Sequence, residues 1–266
     1  MFDNLRKSIA FATAKVLSEI LPLFLLVALD MPLGMSGLLI LTIDLLTDQP
    51  PAISLAYEPG ESATMQRPPR NRATERLIGP VLLFHSYITV GSVMAAACLL
   101  SYFVAFWSNG VPLPALWGTG ASHWQRGAPP LEVCWDPSSS SSSSCRSLSG
   151  DEQYRIVKEA HSAWYATLIL SQAVHIFCAK TRVVSIFKHG VLRNRATPLG
   201  LLVSFTIAAI VMFAPKVQDV FGALPPPGLC WVPWIGFAVW VVAYTEGIKW
   251  RARKAPNGCV ARRLVW

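Results

Sequence analysis

Six stretches of this 266-residue chain are apolar for long enough to cross a lipid bilayer, and nothing else in the sequence constrains its fold as strongly. A membrane-spanning helix needs roughly 20 apolar residues. The stretches fall at 9–29, 32–56, 79–107, 158–179, 198–214 and 229–249; the fifth is short for a span but carries no charge. Composition agrees: 53% of residues are hydrophobic and 14% charged, where a soluble domain carries about 25% charged residues. The first stretch is unlike a cleaved signal peptide, being too long and lacking a small-residue cleavage site before the next span. The expected fold is all-α: a polytopic membrane protein, a six-helix bundle whose second helix is distorted.

The connecting segments test the count independently. Basic residues concentrate in cytoplasmic loops, and here they alternate. One set of segments holds Arg6, Lys7, Arg67, Arg70, Arg72, Arg76, Lys180, Arg182, Lys188, Arg193 and Arg195, together with the tail from Lys249 to Arg263, which makes 17 of the 23 Lys and Arg. The opposite connections hold Arg126, Arg146 and Lys216. Both termini are therefore expected in the cytoplasm. The net charge of +8 is split among segments flanking apolar spans, which argues against a nucleic-acid face and for a lipid bilayer as the chief partner. Trp107, Trp164, Trp231 and Trp250 are read as lying near span ends, where amphipathic rings suit the interface.

The connection 108–153 is the one sizeable outer piece, with a low-complexity run of serines from Ser138 to Ser144 that cannot build a packed core. Cys134 and Cys145 flank that run, and a disulfide or two separate thiols fit the spacing equally well. Cys98, Cys178 and Cys230 lie in or beside spans and read as small apolar filler. No phosphate-binding Gly-rich loop occurs, and no cytoplasmic segment is long enough to form a soluble catalytic domain.

Ionisable residues inside the spans carry the functional information. A charged side chain at the bilayer centre costs about 2.5–3.5 kcal/mol even on a lenient scale, so each needs a reason to be there. Glu19 lies near the middle of the first span. Asp44 and Asp48 lie in the second, four residues apart and so on one helical face. Pro50 and Pro51 follow and cannot donate backbone hydrogen bonds, so distortion near Asp48 would free carbonyl oxygens. Three carboxylates and loosened carbonyls on neighbouring helices suit a hard cation. Lys15 is one turn before Glu19 and can neutralise part of that charge. The competing reading is that these groups only pair to hold the bundle together; three acids against one base favour the cation site. Gln172 and His175 share a face in the middle of the fourth span, as a possible ligand and a possible modulator, or simply as interhelical hydrogen-bonding groups.

These residues sit in recognisable strings. Phe2-Asp-Asn-Leu-Arg-Lys-Ser-Ile-Ala10 resembles the entry to the fifth transmembrane helix of P-type cation-transporting ATPases, nearest to the sodium/potassium- and proton/potassium-transporting alpha subunits. Pro32-Leu33-Gly34, Ile43-Asp44-Leu45-Leu46-Thr47-Asp48 and Pro51-Ala52-Ile53-Ser54-Leu55-Ala56-Tyr57-Glu58 resemble the sixth helix and its exit. Gln66-Arg67-Pro68-Pro69-Arg70-Asn71 resembles the turn that follows, and Lys180-Thr181-Arg182 the exit of the eighth helix. The match is dense from Phe2 to about Ile78 and patchy beyond.

The resemblance implies the C-terminal transmembrane domain, fifth to tenth helices, of a pump for sodium, potassium or protons, in the plasma membrane. It implies cation ligation by Glu19, Asp44, Asp48 and Gln172. Lys15 falls where proton/potassium pumps carry a lysine and sodium/potassium pumps a serine, and His175 replaces an aspartate. Val16 and Ser18 stand where the family has asparagine and proline, and the ninth-helix glutamates near Leu202–Ser204 are absent. ATP and magnesium would bind cytoplasmic domains outside this chain, and a separate N-terminal pump half is an implied partner. A beta-type subunit is left open, because the serine run and Ser149-Gly-Asp-Glu-Gln153 replace the family's docking stretch. Alternative readings are a stand-alone passive cation pathway, a regulator of a complete pump, or a truncated piece without function.

Overall fold

The computed structural model describes residues 2–60, 77–134, 145–190 and 193–255. Six helices long and apolar enough to cross a membrane account for most of it: α1 (Phe2–Leu29), α2 (Gly37–Ala56), α3 (Pro80–Ser108), α4 (Gly150–Ala179), α5 (Ala196–Phe213) and α6 (Gly228–Lys254). The fold is the expected all-α polytopic bundle. The serine run, the string Gln66–Asn71 and the basic residues Arg67–Arg76, Arg262 and Arg263 lie outside the described residues.

α4 forms the centre of one layer, packed between α3 and α6, while α2 lies between α1 and α5. Aromatic rings pack within the first of these layers: Trp164 of α4 is wholly buried and stands edge-on to Tyr102 of α3, with centroids 5.7 Å apart. Trp164 is thus not an interfacial ring. The reason is the helix start: α4 begins at Gly150, where Ser149 accepts a hydrogen bond from Glu152 N and the Glu152 side chain accepts one from Ser149 N. This reciprocal cap starts the helix eight residues ahead of the apolar stretch and pushes Trp164 into its interior. Ser149→Ala should destabilise the protein by about 1 kcal/mol, measured by denaturant unfolding in micelles.

α2 begins five residues after the apolar pattern does. Pro32 to Ser36 are not helical, and Ser36 Oγ accepts Leu39 N at 3.3 Å to cap the helix. On the connection between α3 and α4, Leu131–Cys134 (β1) and Cys145–Leu148 (β2) pair antiparallel, and Cys134 and Cys145 form a disulfide. Gln153 is buried and holds this connection together, donating to Pro129 O and Leu148 O and accepting from Trp124 N. Cys98, Cys178 and Cys230 are buried free thiols.

Both ends of the described chain come to one end of the bundle. Arg182, just after α4, pairs with Asp3 at 3.0 Å, and Arg253 donates to Val183 O at 2.8 Å. Glu58, at the exit of α2, is buried there among Lys180 (3.7 Å), His189 (3.1 Å) and Asn194 (3.0 Å).

Candidate cation site

Two spans are irregular where the acidic residues lie, and the irregularities have local causes. α1 breaks its regular helix at Lys15, between Phe2–Ala14 and Val16–Leu29. α3 packs against this break through Gly91, where a Cβ would stand 2.7 Å from Ala14 O. Pro22 has no N–H to offer Ser18 O, and the Trp164 ring N–H donates to that carbonyl instead, at 3.1 Å. In α2, residues Ile43–Thr47 form a π-helical turn, and Asp48 N donates to Ile43 O at 3.0 Å. Such wide turns are frequent at functional sites. The orphan left by Pro51 is Thr47 O, which accepts the Ser204 hydroxyl of α5. α5 can come that close because Gly200 lies against Pro50, where a Cβ would be 2.9 Å from the carbonyl oxygen. The distorted second helix expected from the prolines is therefore present, and its freed backbone groups are recruited into helix–helix contacts.

The break in α1 and the wide turn in α2 face each other across one lysine. Lys15 Nζ lies 2.9 Å from Glu19 Oε1 and 2.9 Å from Asp48 Oδ2, and it also donates to Asp44 Oδ1. The side chains of Lys15, Glu19 and Asp48 are 7%, 11% and 9% exposed, but that of Asp44 is 49% exposed. Asp44 thus presents a carboxylate on the outside of the helix pair, among the exposed apolar side chains Leu41, Leu45 and Leu46. Three carboxylates around one ammonium leave an excess of negative charge within the spans, which a cation of either protein or solvent origin would relieve.

Gln172 does not join this cluster by any hydrogen bond. It is buried in α4 and neither its amide oxygen nor its nitrogen has a hydrogen-bond partner, so it is a polar side chain with capacity to spare. His175, one turn on, stacks against Phe11 of α1 at 6.0 Å between centroids. His85 of α3 stacks on Tyr244 of α6. Thr245 turns back to Val241 O of its own helix, and Glu246 accepts Ile186 N, tying α6 to the α4–α5 connection.

The family model for the C-terminus of cation-transporting ATPases matches residues 32–251. The chain belongs to that family. It is the C-terminal transmembrane part of a P-type cation ATPase and an integral membrane protein. The sodium/potassium-transporting ATPase subunit alpha of Drosophila melanogaster is 32% identical over 270 residues. Subunit alpha-2 of Gallus gallus is 31% identical over 269 residues, and subunit alpha of Hydra vulgaris 30% over 270. Each similarity takes in 100% of this chain but 25% of the relative, so the chain spans a quarter of the length of these curated relatives.

Within this family frame, two arrangements escaped the reading of the sequence. Trp164 bears on the candidate site indirectly, by satisfying the Ser18 carbonyl, next to Glu19, that Pro22 leaves open. Pro22 was the available signal, since a proline within a helix always frees the carbonyl four residues back. The second is the Glu58 cluster, whose members are divided between the exit of α2 and the distant α4–α5 connection and give no local pattern.

Proposed function

We propose that this chain carries part of the transported-cation site of an ATP-driven monovalent cation pump of the plasma membrane. Glu19, Asp44 and Asp48 are its carboxylate ligands, Gln172 a neutral one, and Lys15 a tethered ammonium that takes the place of one ion. The observation that carries this reading is the convergence of three carboxylates from two helices on a single ammonium within the membrane-spanning section. A monovalent ion arriving at the cluster would compete with Lys15 Nζ for the same oxygens. Displacement of the ammonium would let ion entry and movement of α1 be coupled. His175 acts as a modulator near Gln172 rather than as a ligand. In such a pump, the phosphorylation and nucleotide sites, with ATP and magnesium, belong to domains outside this chain.

The half-exposed Asp44 supports a separate N-terminal pump half as the partner. A carboxylate among lipid-facing leucines would face hydrocarbon, at a cost no isolated helix pair offsets well. A further membrane helix laid over α1 and α2 would cover it and add the remaining ligands. The alternating basic segments support a cytoplasmic position for the end that holds both termini.

The test is cation occlusion by the chain reconstituted in nanodiscs with an N-terminal pump half, followed with radioactive rubidium or sodium. Asp48→Asn is expected to lower affinity at least about tenfold, equivalent to about 1.4 kcal/mol. Unchanged affinity in both Asp48→Asn and Asp44→Asn would overturn the assignment. Flux through vesicles holding the chain alone, abolished by Asp44→Asn, would favour a passive pathway instead.

A further inference from the structure

His161 lies on α4 at the opposite end of the bundle from Glu58, and its ring is buried with both nitrogens engaged. Nδ1 is 3.1 Å from Gly222 O and Nε2 is 3.0 Å from Leu33 O. Carbonyl oxygens only accept. A neutral imidazole has one N–H and one lone pair, so it can satisfy one of these carbonyls and must oppose a lone pair to the other. An imidazolium donates to both. The two carbonyls belong to segments that matter: Leu33 is in the link between α1 and α2, the helices bearing the three carboxylates. Gly222 is in the connection between α5 and α6, which also reaches α2 and α4 through Ser36 Oγ–Phe221 O (2.8 Å) and Leu224 N–Ser162 Oγ (2.9 Å).

The geometry points to His161 as a proton-binding site that staples the α1–α2 link and the α5–α6 connection to α4, and that lets one of them go when the proton leaves. A cavity of about 520 Å³, lined by His161, Tyr154 and Lys158 of α4, the start of α2, and the segment from Asp219 to Gly222, gives the proton a route to the ring. The charged groups facing this cavity are Lys158 and Asp219, which pair at 3.0 Å, with Lys158 also over the Tyr154 ring. The start of α2 contributes Ser36, Gly37 and Leu38 and no charge. Burial and Lys158 oppose a charged ring; the two carbonyls and the Asp219 carboxylate favour it. This site shares no residue with the carboxylate cluster and stands whether or not that cluster binds a transported ion.

The inference is tested on the full chain in nanodiscs with 15N-labelled histidines, using His161→Gln to assign the ring signals. Both ring nitrogens of His161 should carry protons at low pH and lose one as pH rises between 5 and 9. Across the same interval, amide exchange of residues 30–36 and 219–224, corrected for intrinsic rate, should accelerate about tenfold, and His161→Gln should remove that step. A ring that keeps one proton and a single tautomer from pH 5 to 9 overturns the inference. So does an exchange profile with the same pH step in His161→Gln. Should that variant fail to fold, the ring signals are assigned by removing the other histidines one at a time, and the wild-type titration decides.

Discussion

Replacing Lys15 by methionine is expected to destabilise the bundle by about 3–5 kcal/mol when no cation is available, the cost of removing one partner from a buried ionic cluster. The ammonium is the common partner of Glu19, Asp44 and Asp48. Without it, three carboxylates face one another inside the spans, and each must find a proton or an ion. Two treatments should therefore rescue the variant. Acidification protonates the carboxylates and removes their repulsion, so stability lost at neutral pH returns as pH falls. A monovalent cation at about 100 times its dissociation constant returns about 2.7 kcal/mol by occupying the gap. Unfolding in micelles, compared between potassium chloride and choline chloride and between pH 5 and pH 8, measures both. Equal loss under all four conditions would reduce Lys15 to a structural pairing group. Lys15→Ser, in the reconstituted pump, should also raise the number of ions bound.

Glu58→Ala should cost a similar amount, about 3–5 kcal/mol, for a different reason. Glu58 is the carboxylate that Lys180, His189 and Asn194 share, and its backbone carbonyl also accepts Asn4 Nδ2 at 2.7 Å. Its loss unlocks the exit of α2 from the connection between α4 and α5. Glu58→Gln keeps hydrogen-bonding capacity and should lose clearly less. The sign with pH follows from Lys180, which burial already holds below its ordinary range while Glu58 works to raise it. In Glu58→Ala that support is gone and the folded-state pKa falls further. Between the folded and unfolded values the unfolded chain then binds more protons, so the variant's stability rises with pH toward the ordinary lysine range. Thermal unfolding from pH 7 to 10 reads the slope, which should be steeper in the variant than in the wild type. A variant as stable as wild type, with no such slope, would show that the cluster is not holding α2.

The sequence resolved the parts of this protein whose physics is local. A run of apolar residues long enough to span a bilayer has almost no alternative to a helix, because unsatisfied backbone groups are so costly in lipid; this made all six helices legible. Glu19, Asp44 and Asp48 stood out because a charge within such a run is expensive wherever the chain goes next. Prolines at 50 and 51 announced the irregular stretch of α2 because a missing N–H acts on its own helix. Lys15 was legible as a partner of Glu19 for the same reason, being one turn away. Where α4 begins was less legible, because the cap of Ser149 and Glu152 lies in polar sequence that an apolar scan passes over.

What only the tertiary structure decided is which distant groups share a point in space. That Lys15 reaches across to Asp44 and Asp48 depends on how the break in α1 faces the wide turn in α2. That Trp164 answers the carbonyl freed by Pro22 depends on α4 lying against α1. The Glu58 cluster and the doubly engaged His161 depend on connections folding back over helix ends. Hydrophobic periodicity says which segments are buried in lipid, since that follows from each segment's own transfer energy. It is silent on these pairings, because a hydrogen bond or ion pair between helices is decided by a few tenths of a nanometre that no single segment specifies.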